Sequence, residues 1–126
     1  MERRRVQPDW AIATIIAAAL ALLQPGIDPV FLTLLSAASG LDPVYHGWIV
    51  GATQGGMAIG AVGVWLAGPR LPRAAVPLAA VVALGASIAT TGLDMLAALV
   101  AVRALYGAGM GIVYTQAMSD AAARRP

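Results

Sequence analysis

The stretch that decides the fold is residues 95–118, MLAALVAVRALYGAGMGIVYTQAM. It contains one charged residue, Arg103, and it is long enough for a helix to cross the roughly 30 Å hydrocarbon core of a bilayer. Three further apolar stretches precede it, at about residues 10–35, 45–67 and 74–89, and the connections between them are short and rich in turn-forming residues. We therefore predict an all-α integral membrane fold. It is a single domain over residues 1–126, with four transmembrane helices in an antiparallel bundle.

The composition excludes several classes of protein. The chain has 126 residues, of which 60% are hydrophobic and 11% charged, whereas a soluble domain carries about 25% charged residues. It has no cysteine and one histidine, and it shows neither paired carboxylates nor a serine–histidine–acid set. We therefore predict no enzyme activity, no metal site and no cofactor. The net charge of +2 forms no basic patch interleaved with aromatic residues, so no nucleic-acid partner is expected.

Arginine placement predicts the orientation. All eight basic residues are arginine, and seven lie outside the apolar stretches, at positions 3–5, at Arg70 and Arg73, and at positions 124–125. The other two connections carry no arginine. Because arginine accumulates on the cytoplasmic side, we expect both termini inside. The chain would be a multi-pass protein of a bacterial inner membrane, with the lipid bilayer as its first partner. A secretory signal peptide is the competing interpretation of the N-terminus, but the chain after Asp28 is equally apolar.

Two ionisable residues, Asp28 and Arg103, fall inside the predicted spans. Each would cost about 2.5–3.5 kcal/mol at the centre of a bilayer unless it has a partner or a polar cavity. At the helical rise per residue, Asp28 lies about 27 Å from the start of the first span and Arg103 about 22 Å from the end of the fourth. We therefore predict an Asp28–Arg103 pair or a shared polar cavity. In the alternative, Pro25 and Pro29 end the first helix early, so that Asp28 lies in a surface turn and Arg103 extends outward.

Glycines at four-residue spacing predict close helix packing in the second and fourth spans. The candidate packing residues are Gly47, Gly51, Gly55, Gly56 and Gly60 in the second span and Gly107, Gly109 and Gly111 in the fourth. No strand or polar surrounding accompanies them, so they are not interpreted as a phosphate-binding loop.

Other polar residues lie at membrane depth or at its edge. Gln54 and Tyr106 either line a cavity or donate hydrogen bonds to a neighbouring helix, and the sequence favours neither role. His46 is interpreted as an interfacial residue rather than a proton site.

The run RALYGAGMG, from Arg103 to Gly111, resembles the pattern R-x-x-x-G-x-G-x-G of the fourth helix of major facilitator superfamily transporters. The resemblance extends to the topology of the whole chain, which looks like the first four helices of that family's N-terminal half. It implies that the first and fourth helices line the substrate path. It also implies that Arg103 takes part in proton coupling or substrate binding. One departure concerns the second connection, where Pro69 stands in place of the family's aspartate and Pro72 in place of a glycine. The aspartate-based gating contact is therefore not expected, and Arg70 and Arg73 serve as topology determinants.

The expected function is secondary active transport of a small solute across the inner membrane by alternating access. The chain would act as an incomplete or partner-requiring N-terminal part of the transporter, since substrate in this family is held between two six-helix halves. Its partners would be the missing transporter helices or another membrane subunit. The alternative is a small non-transporting membrane subunit or assembly factor that packs against a larger membrane complex through its glycine faces.

Overall fold

The computed structural model describes residues 8–123, which form four α-helices. These are α1 (Pro8–Ser39), α2 (His46–Ala67), α3 (Ala75–Thr90) and α4 (Leu96–Ala123). Short 3₁₀ turns, Pro43–Tyr45 and Gly68–Arg70, lie before and after α2. No strand occurs within residues 8–123, so the all-α, four-helix prediction is confirmed for this part of the chain. The arginines at positions 3–5 and 124–125 lie outside the described residues.

The first helix covers the predicted span of about residues 10–35 and is longer at both ends. It continues through the polar segment at residues 24–29 to Ser39. Proline inside a helix removes one backbone hydrogen bond, and its ring clashes with the carbonyl four residues earlier, at a cost of about 3 kcal/mol or more. Contacts outside the segment must therefore offset the cost of Pro25 and Pro29. The Thr33 hydroxyl donates to the Pro29 carbonyl oxygen at 2.8 Å within this continuous segment. The interpretation in which α1 ends before Asp28 is therefore wrong.

Helix α4 lies at the centre of the described fold. It packs most extensively on α2, then on α3, and least on α1. Gly107 lies against Thr53 and Gly111 against Met57, so α2 and α4 run parallel. Helices α1 and α3 both run antiparallel to α4, as their contacts with it show. Along α1, Asp28 lies against Arg103 and Leu32 against Leu99. Along α3, Ala79 lies against Gly109 and Ala86 against Tyr106. This alternation places the start of α1, the connection between α2 and α3, and the end of α4 at one end of the molecule.

Small residues occupy much of the interior, whereas large apolar residues cover much of the outside. Buried positions on α3 are Ala79, Ala83, Ala86 and Thr90. Exposed positions on the same helix include Leu78, Val81, Leu84 and Ile88, each with more than 60% of its surface accessible. One cluster of larger buried side chains, Leu32, Ile49 and Leu99, joins α1, α2 and α4.

Helices α1 and α2 are each followed by a glycine with a positive φ angle. Gly68 ends α2 with φ +50° while its N–H donates to the carbonyl oxygen of Val64. Gly40 follows α1 with φ +70° and donates to the carbonyl oxygen of Ser36. Residues with a Cβ rarely adopt this left-handed region, so these two glycines fix where α1 and α2 stop.

Two segments of the described chain are long and apolar enough to cross a membrane, Pro43–Arg70 and Leu96–Ala123. Two other apolar helical segments, Gly26–Ser39 and Ala75–Thr90, are shorter. Length and composition thus support two of the four predicted spans.

Candidate functional site: a buried ion pair between α1 and α4

Asp28 of α1 and Arg103 of α4 form a buried ion pair. The guanidinium Nη2 donates to the carboxylate Oδ1 at 2.6 Å. Asp28 retains 4% and Arg103 3% of its accessible surface, so solvent hardly reaches either group. A charge-assisted hydrogen bond of this length is among the stronger contacts that a protein makes. The structure therefore brings together the two charges that the sequence placed at similar depth.

Two aromatic rings flank the guanidinium. Its Cζ atom lies 5.0 Å from the centroid of the Phe31 ring and 5.7 Å from that of the Tyr106 ring. Both distances fall within the range of cation–π attraction, which strengthens when the groups are desolvated. Arg103 is thus held by a carboxylate and by two rings. Phe31 was not singled out from the sequence, although its position three residues after Asp28 puts both side chains on one face of α1.

One N–H donor of the Arg103 guanidinium has no hydrogen-bond acceptor among the described residues. This donor is the buried Nε. A buried donor without an acceptor costs about 1–3 kcal/mol, and more when the group is charged. The site therefore retains hydrogen-bonding capacity next to an ion pair that uses Nη2.

An apolar cluster fixes the register of the pair. Leu32 lies one turn after Asp28 on α1, and Leu99 lies one turn before Arg103 on α4. Both are buried together with Ile49 of α2, which is fully inaccessible. Because these side chains lie between the helices immediately beside the charges, sliding α1 along α4 would break the cluster and the ion pair together.

Of the two other residues predicted to line the pathway, Tyr106 lies beside the ion pair and Gln54 lies away from it. Tyr106 is buried next to Arg103 and also contacts Ala83 and Ala86 of α3. Gln54 is exposed on α2 and does not join the ion pair. Arg70 and Arg73 are exposed at the connection between α2 and α3, at the opposite end of α2 from its start at His46.

The predicted glycines also divide into two groups. A Cβ added to Gly56, Gly60, Gly107, Gly109 or Gly111 would collide with the backbone of a neighbouring helix. At Gly109, for example, the added atom would lie 2.7 Å from the carbonyl oxygen of Ala79. A Cβ added to Gly47, Gly51 or Gly55 would have no atom within 4 Å among the described residues. The first group is where helix backbones meet, and the second group faces outward.

His46 lies at the junction of α1 and α2 rather than on an open surface. Its Nε2 is 2.5 Å from the hydroxyl oxygen of Ser36, and its side chain is half-buried. The contact links the last turns of α1 to the first turn of α2. Among the described residues, no group of three histidine, aspartate or glutamate side chains is placed to hold a metal ion.

Comparison with known proteins gives no match: no family model, no curated protein and no solved structure matches the chain.

Proposed function

We propose that the protein is an integral membrane protein whose four helices all lie in the bilayer. Lipid solvates large apolar side chains on the outside of a bundle, and helix packing in lipid relies on small residues inside. Large exposed residues such as Leu84, Ile88, Trp65 and Leu66 agree with this arrangement, as do the buried alanines and glycines. In water, an apolar surface of this extent would favour aggregation. The seven arginines outside the predicted spans would then place both termini in the cytoplasm, and the composition suggests a bacterial inner membrane.

We further infer that the chain is the N-terminal part of a secondary transporter of the major facilitator type, working by alternating access. The observation that carries this proposal is the buried Asp28–Arg103 pair between α1 and α4. Ionisable groups inside membrane helices are rare, face the interior and mark pathways for solutes or protons. The resemblance of the run from Arg103 to Gly111 to the fourth helix of these transporters points to the same two helices.

The ion pair supplies a mechanism for coupling. As long as Asp28 carries its charge, attraction in a medium of low dielectric constant holds α1 against α4. A proton bound by Asp28, or an anionic group of a solute bound at Arg103, would weaken this attraction. The free Nε–H of Arg103 provides the first hydrogen bond to such a solute. Breaking and re-forming the ion pair would then change how tightly α1 packs against α4.

A second candidate function rests on a different observation. A Cβ added to Gly47, Gly51 or Gly55 would meet no atom within 4 Å in the part of the chain that the structure describes. A non-transporting subunit or assembly factor that binds a larger membrane complex would present glycines of this kind to the complex.

Reading the coding sequence beyond residue 126 and then measuring flux separates the two candidates. The polypeptide that the gene encodes would be reconstituted into proteoliposomes and tested for saturable flux of amino acids, sugars, carboxylates and lipophilic cations. We expect an in-frame continuation with further spans, and flux of at least one of these solutes. A stop codon at this point, no flux above empty vesicles and stable association with a larger complex would overturn the transport proposal.

A further inference from the structure

Phe31 is a second residue of α1 that contacts the guanidinium of Arg103. The centroid of its ring lies 5.0 Å from the Cζ atom, closer than the ring of Tyr106 at 5.7 Å. The Phe31 side chain is half-buried and packs against the buried apolar cluster that joins α1, α2 and α4. The ring therefore has a support other than the ion pair itself.

The two groups that α1 offers to Arg103 respond differently to a proton. The Asp28 carboxylate loses most of its attraction for a guanidinium when it takes up a proton. An aromatic ring attracts a cation through its quadrupole, which does not titrate, and the attraction strengthens in a desolvated site. Arg103 keeps only 3% of its surface accessible, so its site is desolvated. Helix α1 thus presents one partner that titrates and one that does not.

Few charged or titratable groups face Asp28 from the neighbouring helices. On α4 they are Arg103 and Tyr106. Helix α3 contains no titratable residue, and the only one on α2 is His46, which contacts α1 at Ser36, about two turns beyond Asp28. A proton on Asp28 therefore removes the counter-charge of Arg103 and leaves the two rings as electrostatic partners of the guanidinium.

We propose that Phe31 is a positioning residue that keeps Arg103 between α1 and α4 while Asp28 is neutral. The proton goes to the Asp28 carboxylate, the charge-assisted bond from Nη2 is lost, and Arg103 remains a cation. The ring then holds the guanidinium beside Asp28, so that the ion pair re-forms when the proton leaves. This inference rests on the proposed function, in which Asp28 binds a proton, and adds the residue that makes the step reversible.

Substitutions of Phe31 in two backgrounds test this role. Phe31→Leu removes the ring and keeps an apolar side chain, whereas Phe31→Tyr keeps the ring. Each is made with Asp28 intact and with Asp28→Asn, which stands for the neutral carboxylate. Titration with dodecyl sulfate in detergent micelles gives the equilibrium constant of unfolding. We expect Phe31→Leu to raise this constant about threefold to tenfold more in the Asp28→Asn background, and Phe31→Tyr to change it little in either. The lost packing of Phe31→Leu is common to both backgrounds and cancels in the comparison.

Fluorinated phenylalanine at position 31 separates the charge distribution of the ring from its shape. Each added fluorine withdraws electrons from the face of the ring and so weakens its attraction for a cation, while the packing changes little. In the Asp28→Asn background, the unfolding constant should rise stepwise with one, two and three fluorines. The matched control places the same fluorinated residues at Trp48, which is 69% exposed on α2. There the constant should not follow the number of fluorines.

Three results would overturn the proposal. An equal effect of Phe31→Leu in the two backgrounds would mean that the ring contributes packing alone. An unfolding constant that does not depend on the fluorines at position 31 would mean that the ring face does not attract Arg103. An Asp28→Asn chain that retains Phe31 and yet does not fold would mean that the rings do not replace the carboxylate. Unfolding is measured without any flux, so these outcomes are distinct from failure of the transport proposal.

Discussion

Arg103 is the residue on which most of the site depends. Its guanidinium donates to Asp28, lies over the rings of Phe31 and Tyr106, and keeps 3% of its surface accessible. Burying such a charge is expensive unless its partners are in place, so the effect of removing one partner is large compared with the net contribution of the pair.

Removal of the Asp28 charge tests this point. Asp28→Asn leaves Arg103 buried without its counter-charge, and we expect a loss of about 3–5 kcal/mol in the free energy of unfolding. The measurement is unfolding in detergent micelles by titration with dodecyl sulfate, followed by circular dichroism. Asp120→Asn is the matched control, because Asp120 accepts a hydrogen bond from Gln116 at 3.0 Å in an exposed position. It should change stability little, and equal effects of the two substitutions would contradict the buried pair.

A double substitution separates stability from function. Asp28→Leu combined with Arg103→Met replaces the pair by apolar side chains, which in a buried site is often neutral or stabilising. We expect the double variant to be more stable than Asp28→Leu alone and to lack transport. The same unfolding titration measures the first effect and proteoliposome flux measures the second. A double variant that transports at the wild-type rate would show that the pair is purely structural.

At the scale of the helices, close approach of α2 and α4 depends on glycines that admit no side chain. Gly60→Ala would push a methyl group into the carbonyl of Ala108, whereas the methyl group of Gly63→Ala would meet no atom of the described residues within 4 Å. We expect Gly60→Ala to lower stability. Gly63→Ala should be neutral or raise it by up to about 1 kcal/mol, because alanine has the higher helix propensity. Thermal unfolding of both variants in detergent checks the contrast, and a stability equal to wild type for Gly60→Ala would refute the close contact.

The sequence allowed the helices and the ion pair to be predicted, but not the details of packing. Hydrophobic length located the four helices within a few residues, and comparison of depths paired Asp28 with Arg103. The spacing of the glycines on α2 could not show which stripe meets α4, because Gly47–Gly51–Gly55 and Gly56–Gly60 have the same period. The choice depends on the matching surface of α4. Phe31 was missed for a related reason, since an aromatic residue in an apolar helix carries no signal until its neighbour is known.

The polar segment of α1 at residues 24–29 is helical although its residues favour a helix end. Two prolines and a glycine within five residues are typical of a helix end. Helix α1 nevertheless continues to Ser39. Asp28 is anchored by Arg103, and Leu32 is anchored in the apolar cluster, so tertiary contacts hold this segment helical against its local propensity.

At the scale of the whole molecule, the alternating direction of the helices makes the topology testable. The substitution Arg73→Cys places a thiol in the connection between α2 and α3, and Asp94→Cys places one in the connection between α3 and α4. A thiol reagent that does not cross membranes should label Asp94→Cys in intact cells. It should label Arg73→Cys only after permeabilisation, because the arginine-bearing side is expected inside. Labelling of both positions in intact cells would contradict the proposed orientation.

The most direct test of the central claim is the initial rate of solute flux in proteoliposomes containing the polypeptide that the gene encodes. Wild type, Asp28→Asn, Arg103→Gln and the control Asp120→Asn would be compared at equal reconstitution. We predict that the two ion-pair variants lose at least about tenfold in rate, equivalent to about 1.4 kcal/mol in the barrier, while Asp120→Asn transports like wild type. Wild-type flux in both Asp28→Asn and Arg103→Gln would contradict the proposal that this pair carries the function.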